Sequence, residues 1–456
     1  MRDLVFVGFL AALFATGLKR PFLWVLVYCY IDIVAPQRLT YYLLNAVPVS
    51  MIAVALSVGG WALADDKADV RVGPRQFLLA ALLGWCAWTT AHADFPLEAQ
   101  TKWTWVWKAL AFAIFLPLTL RTRLRIEALL LAMVFSASSI IIVGGIKTLA
   151  SGGGYGELNL MVSNNSGLYE GSTISTVAVA IVPVILWLAR FQTVFPKDWK
   201  VWLFALALCF ACLLIPIGTS ARTGLLCIAL LAVLMLRDVK RRVLYVTALG
   251  LGGLCAVPLL PSAYTERMDT IRTYQADASA STRLAVWKWT WDYVQDHPAG
   301  GGFEAYRQNR IRYDTVATKD SGDGTSTVDR TLQVDAGRAY HSSYFEMLGE
   351  QGWPGLILWL TINLGGVLRM EVLRRRYRRA EGDEAWIAPL AGALQSAHLI
   401  YMLGAAFVGI AFQPFIFMLV GAQIGFDTYV GRRRKAASFR PVMRRRVPDA
   451  GTVAVA

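Results

Sequence analysis

Few side chains in this sequence are equipped for chemistry, and His341 is the first of them. It sits between Tyr340 and Ser342 in the stretch from Gly337 to Gly355, which closes the longest polar segment of the chain. The sequence turns apolar again at residue 353. An imidazole with an ordinary pKa of ~6.5 can act as a general base near neutral pH. At the edge of an apolar run it would do so where water meets lipid. Taken alone, His341 reads equally well as a surface histidine.

Arginines supply the context. Arg222 lies in Gly218-Thr219-Ser220-Ala221-Arg222-Thr223-Gly224, a tight turn between two apolar runs. An arginine at the mouth of two membrane helices is costly unless it is paired or used. Arg283 falls in the first turn of an amphipathic helix expected over residues 281–297, with Ser281 or Thr282 as N-cap. A cation is misplaced there with respect to the helix dipole. A bound anion would resolve this, because free N–H groups and a guanidinium would converge on it. Arg267, Arg272 and Arg338 are further candidates. Each could singly be a snorkelling or salt-bridged arginine. Together they suggest a phosphate ligand carrying more than one charge.

The other histidines have simpler readings. His398 falls inside an apolar run and reads as a hydrogen-bonded core residue; His297, beside Pro298, reads as a helix C-cap; His92 lies on a loop. Gly152-Gly153-Gly154 lacks the lysine and the strand context of a phosphate-binding loop. The cysteines (29, 86, 209, 212, 227 and 255) all lie in apolar stretches, which suggests neither a disulfide framework nor a thiolate metal site. No carboxylate cluster beside an apolar run suggests a metal, and no intramembrane series of Asp, Glu or Lys marks an ion path. An enzyme acting on a lipid-linked phosphate without a metal fits better than a pump.

These residues need a membrane scaffold. The 456 residues are 56% hydrophobic and only 17% charged, with a mean hydropathy of +0.47. A soluble domain of that composition would be one apolar patch. The pattern is that of an all-α integral membrane protein with about twelve transmembrane helices. Apolar runs occupy 4–18, 21–34, 42–64, 77–90, 103–120, 128–146, 172–188, 202–217, 224–236, 243–260, 353–368, 386–408 and 410–429. The first two are short, and read as two half-length helices or one broken crossing.

The net charge of +14 would suggest nucleic acid in a soluble protein. Here the Lys and Arg residues gather at 121–125, 237–242, 374–379, 432–435 and 444–446. These alternate correctly if all are cytoplasmic. The loops at 92–102, 147–171, 218–223 and 261–352 are then extracytoplasmic; the N-terminus is outside if 4–34 crosses twice and inside if it crosses once, and the cytoplasmic side is favoured. The first apolar run ends in Lys19 and Arg20 rather than in a cleavage pattern. The expected organisation is a helical bundle over 1–260, a loop carrying the reactive residues and amphipathic helices over 261–352, further membrane helices over 353–430, and a basic tail over 431–456. Within the loop, Leu284, Trp287, Trp291 and Val294 share one helical face suited to the membrane interface. Residues 304–312 suggest a second short helix, and 319–327 a mobile loop.

The order of these motifs resembles the O-antigen ligase and polymerase superfamily of bacterial envelope glycosyltransferases. The matching pieces are Ser220-Ala221-Arg222-Thr223-Gly224, Ser281-Thr282-Arg283, His297-Pro298 with a turn ending in Gly302-Phe303, and His341-Ser342-Ser343-Tyr344 followed by Glu346, Gly349-Glu350-Gln351-Gly352 and Pro354-Gly355. They span roughly residues 220–360. Many members carry Asn where this chain has Ser342, and Ser where Ala221 precedes the first arginine.

The resemblance implies transfer of a glycan from an undecaprenyl-diphosphate carrier to an acceptor at the periplasmic face of the bacterial inner membrane. In the ligases the acceptor is the lipid A-core, and the product is lipopolysaccharide. It implies an inverting reaction with no metal or cofactor, His341, Arg222 and Arg283 as catalytic residues, and membrane lipids rather than nucleic acid as surroundings. Arg338, Tyr340 and Tyr344 are expected to contact diphosphate or glycan. An O-antigen polymerase or a protein O-oligosaccharyltransferase would share the donor chemistry, and a transporter is the reading from another class.

Overall fold

A computed structural model describes residues 2–44, 46–68, 70–151, 168–237, 241–242, 244, 247, 278–320 and 326–438. All of the expected span at 243–260 except residues 244 and 247, together with Arg267, Arg272, Cys255 and the end of the basic tail, lies outside the described residues.

Helices dominate. Among the described residues ten precede residue 237: α1 (Arg2–Lys19), α2 (Phe22–Val34), α3 (Pro36–Leu39), α4 (Val49–Ala64), α5 (Pro74–Ala91), α6 (Pro96–Thr119), α7 (Arg123–Ser151), α8 (Gly171–Phe191), α9 (Trp199–Gly218) and α10 (Arg222–Leu236). After them come α11 (Ala278–Asp296), strands β1 (Arg310–Asp320) and β2 (Ser326–Ala336), α12 (Ser343–Arg376), α13 (Ile387–Ala405) and α14 (Pro414–Ser438). Among the described residues five helices are long and apolar enough to cross a membrane: α7, α8, α9, α12, and a stretch over Gly382–Ala405 that includes α13. Helices α2, α4 and α10 are apolar but shorter. The sequence pattern suggested about twelve crossings; five meet both criteria here.

The bundle has two chemically distinct ends. At one, Arg125 pairs with Asp65 at 2.5 Å, the Arg123 guanidinium lies 4.6 Å from the Trp386 ring, and Arg237 reaches Glu371 at 3.6 Å. The Phe22 ring sits here too, beneath Arg125 at 4.8 Å. From there α2 runs to the opposite end, where the Tyr169 hydroxyl donates to the Val34 carbonyl. Helix α2 stops at Ala35, whose φ of 50° breaks the helix ahead of Pro36. Helix α1 is antiparallel to α2: Trp24 Nε1 donates to the Phe14 carbonyl at 2.9 Å, and the Asp3 carboxylate accepts from the backbone of Tyr41, Tyr42 and Leu43. Residues 4–34 are thus two helices, not one broken crossing. Asp3 lies at the end opposite the arginines, where alternation puts the N-terminus when residues 4–34 form two helices, and not on the favoured arginine side.

The polar segment departs from an all-α expectation. Residues 305–308 form one 3-10 turn, and β1 and β2 pair antiparallel in a hairpin, from Arg310 opposite Ala336 to Asp320 opposite Ser326. The short helix expected over 304–312 is therefore a turn leading into a strand, and part of the loop expected over 319–327 belongs to the ladder. Helix α11 begins at Ala278, earlier than expected. Ser281 and Thr282 are inside it and are not its caps. Its proposed apolar face is divided: Val294 is buried and Trp287 stacks on Phe345 at 4.9 Å, while Leu284 and Trp291 are exposed.

Helix α12 is two helices joined at Gly352, where φ is 64° and ψ −167°. That backbone region is essentially restricted to glycine. Pro354 has no N–H with which to bond the Glu350 carbonyl four residues back. Gly302 N–H donates to that carbonyl instead, at 2.9 Å, and Gly301 N–H to the Gly349 carbonyl at 3.0 Å. Trp353 N–H donates to Pro298 at 3.0 Å. The Pro298–Gly302 turn thus docks main chain to main chain on the kink. A Cβ on Gly352 would overlap the Pro298 carbonyl, and one on Gly300 would overlap the Gly352 nitrogen.

Candidate active site

His341 lies between the hairpin and α12, at the end of the bundle away from the arginine cluster. Its φ of 49° is left-handed, a conformation that costs a residue with a Cβ about 1 kcal/mol or more. The flanking residues enforce it. Tyr340 is buried against Val286 and Ile311, and its carbonyl accepts from Trp287 Nε1 at 2.9 Å. On the other side Ser343 Oγ donates to the Val408 carbonyl and accepts from Ile410 N–H, both at 2.8 Å. Glu346 N–H bonds the Ser342 carbonyl at 2.8 Å and starts α12. The imidazole alone keeps an exposed face.

The electrostatics around it are lopsided. Partial burial, then Arg283, then Arg338 hold the imidazole below its ordinary pKa, while Glu170 works in the opposite direction. Arg338 comes from the segment after β2. Its backbone is clasped by Asn309, whose side-chain oxygen accepts from Arg338 N–H at 2.9 Å and whose amide donates to the Arg338 carbonyl at 2.7 Å. Its guanidinium is also paired with Asp335 at 2.7 Å. Arg283 lies in the second turn of α11, because that helix starts at Ala278. Arg283 is therefore not a first-turn residue, contrary to the sequence reading.

Arg222 does occupy such a position. It is the first residue of α10, after Ala221 as N-cap and Ser220 at a φ of 50°. The turn before it packs on the start of α8: Ser175 Oγ and Thr219 Oγ1 are 2.8 Å apart, and a Cβ on Gly171 would sit 3.2 Å from Thr219 Cβ. Helix α8 also packs against α13, with Thr176 filling the space beside Gly404. The α13 carbonyl of Met402 accepts from Tyr344 Oη at 3.1 Å, three residues past His341. One end of the bundle thus gathers His341, Arg283, Arg338, Glu170 and the turn that carries Arg222.

Two expected ligand contacts are fastenings instead. Tyr340 is 2% exposed and its ring belongs to the small core under the hairpin. Tyr344 is half-buried, with its hydroxyl tied to α13 and its ring edge-on to Trp359 at 5.3 Å. Burial leaves the Tyr340 ring no exposed face, whereas the Tyr344 ring remains partly exposed. The remaining histidines are accounted for locally. His297 Nδ1 lies 3.2 Å from the Tyr293 carbonyl, His92 Nδ1 2.8 Å from that of Trp88, and buried His398 joins Asn363 and Gln423.

Two charged residues that matter here escaped sequence reading. Lys102, expected at the end of a loop, is partly buried inside α6 between Glu346 at 2.7 Å and Glu350 at 2.8 Å. Glu350 also accepts from Glu304 N–H at 3.0 Å, and Glu346 from Ala411 N–H at 3.2 Å. The motif carboxylates are therefore staples joining α6, α12 and the loops beside the kink. Lys102 carried no signal of this in the sequence, standing one residue ahead of the apolar run at 103–120. The second residue is Glu170, whose signal was an acid just ahead of an apolar run that begins with Gly171-Ser172-Thr173. Among the described residues no cluster of three or more His, Cys, Asp or Glu side chains is arranged to hold a metal ion.

Comparison with known families divides the chain. Residues 207–360 match the family described as O-antigen ligase, and residues 1–193 match a family of unknown function, DUF5935. No curated protein matches the chain. Arg222, Arg283, Arg338 and His341 fall in the first segment, whereas Lys102 and Glu170 come from the second.

Proposed function

We propose that this chain, whose residues 207–360 match the family described as O-antigen ligase, is an inverting, metal-independent glycosyltransferase. Its donor is O-antigen glycan on undecaprenyl diphosphate, its acceptor is lipid A-core, and it works at the periplasmic face of the bacterial inner membrane. The observation that carries this reading is His341: a histidine held in a left-handed backbone, with its ring open to solvent and cationic groups around it. Strain of that kind persists where the surrounding structure over-determines it, and it clusters at functional sites.

In the proposed reaction His341 takes the proton from the acceptor hydroxyl as its oxygen attacks the anomeric carbon. The new carbon–oxygen bond forms as the bond from that carbon to the diphosphate breaks, and the electron pair leaves with the diphosphate. Arg222 and Arg283 stabilise the charge that develops there. The start of α10 adds oriented N–H groups beside Arg222. A single displacement inverts the anomeric centre. The lowered proton affinity of His341 keeps the ring neutral, and so able to accept, over more of the acidic range.

The test is transfer in a purified system with chelator, using undecaprenyl-diphosphate glycan and lipid A-core. Wild type should cap the lipid A-core, and His341→Ala should not while accumulating normally. An active His341→Ala protein would sink the base assignment. Longer lipid-linked chains without capping would instead identify a polymerase. Arg222→Lys should lose most activity, because a point charge cannot reproduce the bidentate fork.

A further inference from the structure

Helix α11 shares its apolar side chains between two surroundings. Val286 and Val294 are buried, and Trp287 lies flat on Phe345 at 4.9 Å while its Nε1 donates to the Tyr340 carbonyl at 2.9 Å. Leu284 and Trp291, two turns apart on one edge of the helix, are 58% and 51% exposed. That open edge meets the start of the membrane-crossing half of α12. The Trp291 ring stands edge-on to Trp353 at 5.5 Å, and Trp353 opens the apolar run one position past the Gly352 kink. Ile357, Leu364 and Leu368 continue from Trp353 along one helical face and are all exposed. On a helix long and apolar enough to cross a membrane, such a face meets lipid chains. Two more indoles lie at the level of the kink: Trp85 of α5 donates from Nε1 to the Gln351 carbonyl at 2.8 Å and stacks on exposed Trp88 at 5.0 Å.

We propose that α11 is seated in the bilayer at the His341 end of the bundle, with Leu284 and Trp291 inserted among phospholipids at headgroup level. Tryptophans gather at that level, where the ring finds an apolar medium and the N–H a polar one. Trp85, Trp88, Trp353 and Trp291 mark it on three helices of this chain. Lys288 is exposed between Leu284 and Trp291; its ammonium suits lipid phosphates and not lipid chains, which limits the depth of insertion. Asp292 and Asp296 are exposed farther round the helix, on the side left for water. A second copy of the chain is the poorer occupant, because a stable protein interface takes roughly 20–30 residues a side and this edge presents two apolar side chains. The sequence pattern put four apolar residues at the membrane interface; packing takes Trp287 and Val294 for the protein and leaves a narrower wedge. The seating also sets Arg283, on the same helix, at the height of a lipid-borne diphosphate; that consequence alone rests on the reaction proposed above.

The experiment uses full-length protein in phospholipid nanodiscs. Leu284→Cys, Trp291→Cys and Asp296→Cys are each labelled with bimane, and wild type labelled in parallel gives the background, since its described free cysteines are buried. Fluorescence is read against three quenchers: a phospholipid carrying a nitroxide near its headgroup, one carrying it at the chain end, and iodide in the buffer. Labels at 284 and 291 should lose most of their fluorescence to the headgroup nitroxide, less to the chain-end nitroxide and little to iodide. The label at 296 should lose most to iodide. Trp291→Cys gives up the contact with Trp353, so Leu284→Cys decides the matter if that variant fails to accumulate. Iodide quenching at 284 and 291 as strong as at 296 would put the edge in water, and shielding from all three quenchers would put it against protein; either result overturns the proposal. Quenching as expected in a protein whose transfer survives His341→Ala would keep the seating and remove only the catalytic reading.

Discussion

At the scale of single residues, His341 sets strain against function. Its left-handed backbone costs about 1 kcal/mol that glycine would not incur. His341→Gly should therefore raise the thermal midpoint in detergent slightly while abolishing transfer; a fall in the midpoint would mean that the ring's packing outweighs the strain. The pH dependence has a defined sign. Because burial and the arginines hold the folded-state pKa below the ordinary value, the acidic limb of the rate profile should fall below ~6.5. Arg338→Gln removes a cation and should move that limb towards higher pH, as measured by initial rates. The proposed reactive residues stand out in the sequence because each breaks a local rule: a histidine at the edge of a span, or an arginine in a turn between spans. The packing of Tyr340 does not, because an aromatic neighbour of such a residue looks the same whether it faces a ligand or packs beneath it.

At the scale of elements, the Gly352 kink joins two motifs separated along the chain. The proline at 354 leaves one carbonyl without its helical donor, and Gly302 supplies the replacement. The spacing of Pro298-Ala299-Gly300-Gly301-Gly302 and of Gly352-Trp353-Pro354 thereby acquires a physical reason that a one-dimensional reading lacked. Gly352→Ala combines a forbidden backbone with a Cβ inside the docked turn. It should destabilise by on the order of 3 kcal/mol, visible as a lower thermal midpoint and a loss of folded protein. The hairpin was less legible. Val328, Leu332 and Val334 alternate with polar residues, which is strand periodicity, but Asp and Thr are frequent enough there to imitate a loop. The start of α11 was misjudged because a Ser-Thr pair makes an attractive cap wherever it occurs.

At the scale of the whole molecule, the clustering of basic loops at one end of the bundle was written in the charge pattern, since lysine and arginine placement follows a rule that ignores packing. The pairing of distant elements was not. Lys102 meets its two carboxylates across the bundle, and no periodicity reports such a partner. Lys102→Met would leave two buried carboxylates facing each other and should cost about 3–5 kcal/mol. Adding Glu350→Gln should restore part of the lost thermal midpoint, because one buried charge is then removed. A double variant no better than the single one would show that the lysine acts by packing and not by charge.

The same cluster has a consequence in time. Lys102 and Glu346 are 244 positions apart. At roughly 5–20 residues per second of synthesis, the lysine emerges tens of seconds before the acids that will neutralise it. During that interval α6 holds a charge with no permanent partner, and the nascent N-terminal half is a provisional structure. The membrane-quality machinery of the cell would see that half as unfinished until α12 arrives. A chain ending near residue 193 should accordingly be degraded, and supplying residues 194–456 as a separate polypeptide should protect it.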